Sequence, residues 1–215
     1  MSLAKLSLAC LSLICLTSQV SAKRHWGVGC PTVTTNIAVK DYNVTKMMGL
    51  WYEYLITEDL MEGRTYDCST WLMMQDRSND TYFTVIQNQL DSQTKETKLQ
   101  TFEMLCESLD KQEGNEVSCV YQPVEPKTTL EEYTIHKERN FQIIYTDYFS
   151  LMIASVCQSY GAFYFQDYIV MTRDKEVSLY HRKMIRDLVK EKGLGASDFK
   201  KGQAYYCWGE DYFMI

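Results

Sequence analysis

The chain has 215 residues, a hydrophobic fraction of 46% and a formal net charge of −6. This length is sufficient for one domain with a sizeable core. The acidic balance excludes the basic surface that binding of nucleic acid requires. We expect the net charge to serve solubility rather than to attract a cationic substrate.

The first 22 residues have the pattern of a secretory signal peptide. Lys5 precedes an apolar run from Leu6 to Leu16, and Val20-Ser21-Ala22 offers a cleavage site of small residues. The run is about eleven residues long, too short to span a bilayer, which takes roughly 20. A buried N-terminal helix is the alternative. We predict a secreted, extracellular protein with no membrane span, in which residues 23–215 form a single domain.

Six cysteines lie in the predicted mature chain. An even number of cysteines in an oxidising compartment predicts three disulfides but leaves their pairing open. No two of them are spaced as Cys-x-x-Cys, so a zinc or redox site is not indicated. Two sequons, Asn43-Val44-Thr45 and Asn79-Asp80-Thr81, predict N-glycosylation at Asn43 and Asn79. The six cysteines are Cys30, Cys68, Cys106, Cys119, Cys157 and Cys207.

Most of the mature chain predicts short β-strands. Segments rich in β-branched and aromatic residues alternate with polar breaks such as residues 76–80. Many strands in sequence with short turns indicate an antiparallel meander, and closure into a barrel removes the edges of such a sheet. The predicted strands are Leu50–Thr57, Tyr66–Gln75, Thr81–Leu90, Leu130–His136, Phe141–Tyr148, Leu151–Cys157 and Ala162–Met171.

Residues 91–115 are harder to interpret. Apolar residues such as Met104 stand among charges there, and Cys106 lies inside the stretch. An extra hairpin is one interpretation. A disulfide from Cys106 to Cys119 would then close a small loop around Gly114-Asn115.

The segment after the last predicted strand has a helical period. Asp174 or Ser178 can cap its start, and Gly193 suits the position after its end. We expect its apolar face to pack on the chain's own domain rather than to bind a membrane. The residues of that face lie mostly three or four apart: Val177, Tyr180, Met184, Ile185, Leu188 and Val189.

Three short motifs occur in a characteristic order. They are Gly49-Leu50-Trp51 at the first strand, Thr146-Asp147-Tyr148, and Arg173 after the last strand. With the signal peptide, the meander and the single late helix, the chain resembles the lipocalin family over nearly the whole mature sequence. The resemblance implies an all-β fold: an eight-stranded antiparallel up-and-down barrel with one C-terminal α-helix packed on it.

The resemblance also implies structural roles for the motif residues. Trp51 would lie inside the closed end of the barrel, with the guanidinium of Arg173 over its indole in a cation–π contact. Asp147 would lie in the turn at the same end and hold that turn together.

The cysteine positions are similar to those of the subgroup of apolipoprotein D and the arthropod bilin-binding proteins. That resemblance implies disulfides from Cys30 to Cys157 and from Cys68 to Cys207. Cys106 and Cys119 remain as the third pair, which the subgroup does not generally supply. This departure leaves the loops near the barrel mouth, and with them the ligand, undefined.

A barrel of about eight strands can hold one small ligand. The resemblance therefore implies a carrier of a small hydrophobic molecule of the lipid, retinoid or tetrapyrrole class. Alternate residues of a strand face the same side. If the second strand keeps its relatives' register from Cys68, the side chains of Ser69, Trp71 and Met73 face inward.

On the last strand, counting back from Arg173 places Met171, Ile169, Asp167 and Phe165 on one face. A carboxylate inside an apolar barrel is costly unless it is paired. Asp167 therefore either binds a polar ligand group, or a bulge resets the register. Ordinary core packing is the competing interpretation for all of the predicted ligand contacts, which are Trp71, Met73, Tyr133, Ile143, Tyr145, Phe165 and Ile169.

An enzyme is the alternative from another class, because the resemblance reaches a few lipocalins that isomerise their ligand with a cysteine thiolate. That chemistry needs a free, activated thiol, and three disulfides leave none. The histidines at 25, 136 and 181 have no metal-binding spacing, and neither Gly-x-Ser-x-Gly nor His-Glu-x-x-His occurs. We predict no enzymatic activity, no cofactor and no metal.

A second alternative is a secreted protein that acts through its loops, as an inhibitor or a receptor ligand. The unmatched residues 91–115 support it. The sequence does not define an oligomeric state.

Overall fold

The computed structural model describes residues 25–27, 29–31, 43–57, 66–75, 82–91, 98–108, 116–122, 139–159, 161–195 and 199–201. Several sequence predictions lie outside these ranges: the signal peptide at 1–22, the strand at 130–136, the ligand contact Tyr133, the sequon at Asn79 and the cysteine at Cys207.

Eight antiparallel strands close into a barrel in the described part of the chain. Each strand pairs with the next one along the sequence, and the last strand pairs with the first to close the ring. This confirms the up-and-down barrel that the resemblance implied. The strands are β2 (Gly49–Thr57), β3 (Tyr66–Gln75), β4 (Tyr82–Asp91), β5 (Lys98–Ser108), β6 (Glu116–Gln122), β7 (Arg139–Thr146), β8 (Leu151–Ser159) and β9 (Phe163–Thr172).

Two short strands extend this sheet. The strand β1 (His25–Trp26) pairs with the start of β9, and β10 (Phe199–Lys201) pairs with the end of β2. A 3₁₀ helix at Val44–Met47 precedes β2 and places the buried side chain of Met47 in the barrel core. We call this end of the barrel the closed end and the opposite end the mouth.

The strands β5 and β6 correct the interpretation of residues 91–115. Lys98–Glu107 pairs without a break with β4, and Glu103–Ser108 pairs with β6, so this segment is a barrel strand and not an extra hairpin. In an up-and-down barrel, the end of β5 at Ser108 and the start of β6 at Glu116 then lie at the closed end, not near the mouth. The strand period was not apparent in the sequence because the exposed positions on either side of buried Met104 hold apolar Leu105 as well as charged Glu103.

The predicted helix is present as α1 (Leu179–Glu191). Ser178 caps it by accepting a hydrogen bond from the backbone N–H of His181, and Gly193 follows it with a φ of +68°. The apolar face packs outside the barrel as expected. Tyr180, which we placed on that face, is instead 74% exposed in the first turn.

Two apolar clusters stabilise this arrangement. The inner cluster fills the barrel and includes Trp51, Trp71 and Phe141. The outer cluster lies between the barrel wall and α1 and includes Ile144 and Ile185. No helix in the described ranges is long and apolar enough to cross a membrane.

Candidate ligand-binding cavity

Trp51 and Arg173 stack at the closed end. The indole of Trp51 is fully buried, and its N–H donates to the carbonyl of Met47 at 2.8 Å. The guanidinium carbon of Arg173 lies 3.7 Å from the centre of that ring. This is the cation–π contact that the resemblance implied, a contact of about 0.5–2 kcal/mol depending on desolvation.

The same guanidinium binds the backbone around the start of β2. Its Nη1 donates to the carbonyl of Leu50 at 3.0 Å, and Nη2 donates to the carbonyls of Met48 at 2.8 Å and Met47 at 3.2 Å. Partial burial lowers the pKa of Arg173, while the charge of Asp147 acts to raise it. Arginine remains protonated in proteins, so these hydrogen bonds from the guanidinium stabilise the closed end at any ordinary pH.

Asp147 organises the turn between β7 and β8. Its Oδ1 accepts backbone hydrogen bonds from Phe149 at 3.0 Å, Ser150 at 2.8 Å and Leu151 at 2.9 Å, and the Ser150 hydroxyl donates to Oδ2. Partial burial acts to raise the pKa of Asp147, but these hydrogen bonds outweigh it and hold the pKa below its ordinary value. Asp147 therefore holds the turn, as the resemblance implied.

A small apolar cavity lies inside the barrel above Met47. Its volume is about 20 Å³, close to the space that one water molecule needs. Four of the side chains around it are methionines, which adapt readily to a new shape because they are unbranched and flexible: Met47, Met73, Met152 and Met171.

Most of the described residues predicted to contact ligand face the barrel interior. Trp71, Met73 and Ile143 line the cavity. Ile169 belongs to the same inner cluster and is 1% exposed. Phe165 lies on the same face of β9, nearer the mouth, and is also buried.

Tyr145 does not line the barrel, which corrects its prediction. The pairing of β7 with β8 shifts register between Ile143 and Tyr145, so the alternation that starts at Ile143 is broken. Tyr145 packs against the outer cluster beneath α1 instead. Burial raises the pKa of its hydroxyl, and the charges of Asp147 and Glu191 add to this shift.

The inward position of Asp167 follows the predicted parity. The pairing of β8 with β9 is regular along its length, so no bulge resets the register there. Asp167 is fully buried, and its Oδ1 accepts a hydrogen bond from the Thr57 hydroxyl at 2.6 Å. That hydroxyl also accepts from the backbone N–H of Tyr168 at 2.9 Å.

A second buried carboxylate, Glu53, was missed at the sequence level. It lies on β2 two residues after Trp51, so strand alternation alone would have placed it inside. It is 4% exposed. Its Oε2 accepts hydrogen bonds from the Ser69 hydroxyl at 3.0 Å and from the indole N–H of Trp71 at 3.4 Å. A polar site therefore stands in the wall beside the apolar cavity.

Two of the three expected disulfides lie in the described part of the chain. Cys30 pairs with Cys157, and Cys106 pairs with Cys119. The second pair is buried in the inner cluster, where Cys119 also lines the cavity. The side chain of Cys68 is outside the description, as is Cys207, so their pairing stays a prediction. Among the described residues, no group of three His, Cys, Asp or Glu side chains is placed to hold a metal ion.

Three solved structures have a similar fold. Insecticyanin from the tobacco hornworm Manduca sexta has a TM-score of 0.62 at 14% identity, covering 89% of this chain and 92% of that one. A biogenic amine-binding protein has a TM-score of 0.62 at 17% identity, covering 85% and 92%. Lobster apocrustacyanin A1 has a TM-score of 0.57 at 14% identity, covering 82% and 88%.

The chain has the lipocalin fold. No protein-family model matches the sequence, and no curated protein matches it. At these identities the structural likeness of the lipocalins establishes the fold and not the subgroup.

Proposed function

We propose that this protein is a secreted carrier that binds a small hydrophobic ligand of the lipid, retinoid or tetrapyrrole class inside its barrel. The observation that carries the proposal is the cavity inside the barrel, which is lined by apolar side chains. Burial of apolar ligand surface away from water would drive binding. The lipocalin fold supports this use, because the name of one similar structure describes a protein that binds biogenic amines.

The ligand would extend from the cavity toward the mouth. The cavity alone has room for about one water, so binding requires the methionines around it to move. Two pairs of aromatic side chains mark the path. Trp71 contacts Phe141 edge to face, with ring centres 5.2 Å apart. Farther along, Phe165 contacts Phe163 in the same manner at 5.8 Å. Flat or chain-like apolar molecules suit these surfaces.

We also propose the subgroup of apolipoprotein D and the bilin-binding proteins. The pair Cys30–Cys157 is one of the two disulfides that the resemblance to this subgroup implied. Secretion is supported by the signal-peptide pattern and by disulfides, which persist in oxidising compartments. Asn43 is exposed, and its Oδ1 accepts from the backbone N–H of Lys46. The side-chain nitrogen, to which a glycan would be attached, takes no part in that hydrogen bond.

Intrinsic fluorescence tests the carrier proposal. Retinol, a long-chain alcohol and a tetrapyrrole are titrated into the mature protein, and we expect at least one to quench tryptophan emission to saturation. Trp71→Phe should lose much of the quenching because Trp71 lines the cavity. Trp26→Phe is the matched control, because Trp26 is 81% exposed. Absence of quenching together with no retained molecule in native mass spectrometry would overturn the proposal.

The loop-mediated alternative now has a sharper test. Deleting residues 91–115 would remove the barrel strand β5, so it cannot separate the two functions. Replacing only 109–115 with a Gly/Ser linker of equal length keeps β5, β6 and the disulfide that joins them. Loss of partner binding with unchanged ligand uptake would favour the loop. If both are retained, residues 109–115 are excluded as the partner-binding site.

A further inference from the structure

The outward side of α1 carries a row of basic residues. Residues spaced four, three and four positions apart lie on one face of an α-helix, because the helix turns once in 3.6 residues. Four exposed residues of α1 have this spacing, and we call them the α1 stripe: Leu179, Lys183, Arg186 and Lys190. The stripe presents one apolar side chain followed by three positive charges.

The α1 stripe faces away from the barrel. Ile185 and Val189 are buried in the outer cluster, and Met184 and Leu188 pack against that cluster. At 3.6 residues per turn, these four side chains lie on the other half of the helix circumference. Packing of α1 on the barrel therefore does not account for the stripe.

The charge of the stripe is opposite to that of the whole chain. The formal net charge of the chain is −6, yet no acidic residue stands within the stripe. Asp187 and Glu191, the two acidic residues of α1, lie to one side of it. Salt screens exposed charges beyond about 10 Å, so the stripe acts locally on whatever approaches this face. An anionic surface is attracted there although the protein is acidic overall.

Two large side chains at the start of α1 extend into solvent. Leu179 is 82% exposed, and Tyr180, its neighbour in the first turn, is 74% exposed. A highly charged polymer has no apolar region to receive such side chains. The interface of a lipid bilayer does, and tyrosine is enriched there because its ring is apolar and its hydroxyl is polar. The pair therefore favours a lipid surface over an anionic polymer.

We propose that the α1 stripe docks this protein reversibly on a lipid bilayer with anionic headgroups. The three basic side chains contact the headgroups, and Leu179 and Tyr180 enter the interface. Basic residues beside exposed apolar ones are typical of helices that lie on a membrane surface. The apolar face of α1 stays on the barrel, so docking does not require the helix to detach. The surface lies outside the barrel, and the proposal goes beyond the carrier function without depending on it.

Vesicle flotation tests the proposal. The mature protein is mixed with vesicles of phosphatidylcholine, with and without phosphatidylserine. We expect binding that requires phosphatidylserine and weakens as the salt concentration rises. Lys183→Gln/Arg186→Gln/Lys190→Gln should lower the affinity at least about tenfold, because each basic residue near an anionic bilayer contributes to binding. Leu179→Ser/Tyr180→Ser should lower it at least about fivefold, because less apolar surface leaves water.

Two control variants match these changes. Lys183→Arg/Arg186→Lys/Lys190→Arg keeps every charge in place and should bind vesicles like the unaltered protein. Met74→Ser removes a side chain that is 41% exposed on β3, away from α1, and should also leave vesicle binding unchanged. Circular dichroism checks that each variant is folded. If the glutamine variant does not fold, the Leu179→Ser/Tyr180→Ser variant and the salt dependence still decide.

Several outcomes would overturn the proposal. They are absence of binding to either vesicle, equal binding with and without phosphatidylserine, and unchanged affinity in the glutamine variant. A heparin fragment distinguishes a lipid from an anionic polymer. If the fragment binds through the three basic residues and the vesicles do not bind, the stripe recognises an anionic polysaccharide instead. Ligand uptake is measured separately by fluorescence, so none of these outcomes decides the carrier proposal.

Discussion

The absent side chain of Gly49 makes room for Arg173. A methyl group on Gly49 would lie 2.9 Å from Nη1 of Arg173, and Gly49 has a φ of +104°. Real side chains essentially never approach so closely. The glycine at position 49 therefore permits both the backbone turn into β2 and the position of the guanidinium over Trp51.

The backbone conformation alone should make Gly49→Ala destabilise the protein by about 1–2 kcal/mol. We expect the contact with Arg173 to add to that loss. Gly193→Ala is the matched control, because Gly193 also has a positive φ but has open space around it. Urea denaturation should show the larger loss for Gly49→Ala. In an Arg173→Ala background, Gly49→Ala should lower the free energy of unfolding no more than Gly193→Ala does. If Gly49→Ala costs as much stability there as in the unaltered protein, the contact with Arg173 is not the cause.

Removal of Asp147 should weaken the closed end in a pH-dependent manner. Asp147→Ala deletes the acceptor of three backbone N–H groups, and we expect a loss of about 2 kcal/mol near neutral pH. The pKa of Asp147 is lowered in the folded protein, so its stabilisation is complete above its ordinary value of 3.8 and disappears as the pH falls through the folded value.

Thermal denaturation across pH checks this. The difference between the unaltered protein and Asp147→Ala should be constant near pH 7 and shrink below about pH 4. Asp187→Ala, an exposed position on α1, should change stability by less than about 0.5 kcal/mol. A difference for Asp147→Ala that persists undiminished in acid would contradict the role of its charge.

The internal disulfide should add stability although it closes a short loop. Cys106 and Cys119 are 13 residues apart. Removing a disulfide that closes a loop of that size should lower the free energy of unfolding by about 3 kcal/mol, because the unfolded chain gains conformational entropy. The double variant Cys106→Ala/Cys119→Ala avoids leaving a lone thiol. Chemical denaturation measures the effect.

Cys30→Ala/Cys157→Ala is the comparison, because that bridge spans 127 residues. The free energy of unfolding of this variant should fall further, by about 4–5 kcal/mol. If removal of the internal pair instead proves neutral, the bond strains the barrel wall as much as it constrains the unfolded chain.

Packing of α1 on the barrel should depend on its buried face alone. Ile185 is 1% exposed in the outer cluster, so Ile185→Ala should cost about 2–5 kcal/mol. Leu179 is 82% exposed, so Leu179→Ala should change stability by less than about 0.5 kcal/mol. Similar losses from both variants would show that the two positions are equally covered in solution.

Local periodicity made much of this fold predictable. The strands from Leu50, Tyr66 and Leu151 appeared in the sequence because β-branched and aromatic residues are concentrated there between polar breaks. The helix appeared because its apolar residues recur with a helical period. The motif residues Trp51 and Arg173 gave the family resemblance, and with it the stacking at the closed end.

Other features depended on neighbours in other strands. The strand at Lys98–Ser108 was not predicted because its outer face mixes charged and apolar residues, and only pairing with β4 and β6 defines it. Tyr145 was predicted on the wrong face because a bulge in one ladder shifts all later residues by one position. A single sequence carries no local signal for such a shift.

The sequence by itself determined the strand alternation, the helix, the motif residues and the number of cysteines, since each depends on residues close together in the chain. Only the tertiary structure decided which distant groups meet. It brought Arg173 to the carbonyl of Leu50, 123 positions away, and Ser69 and Trp71 to the carboxylate of Glu53. The physical reason is that strand register and barrel closure are set by pairing between remote segments, and these fix what lies inside the barrel.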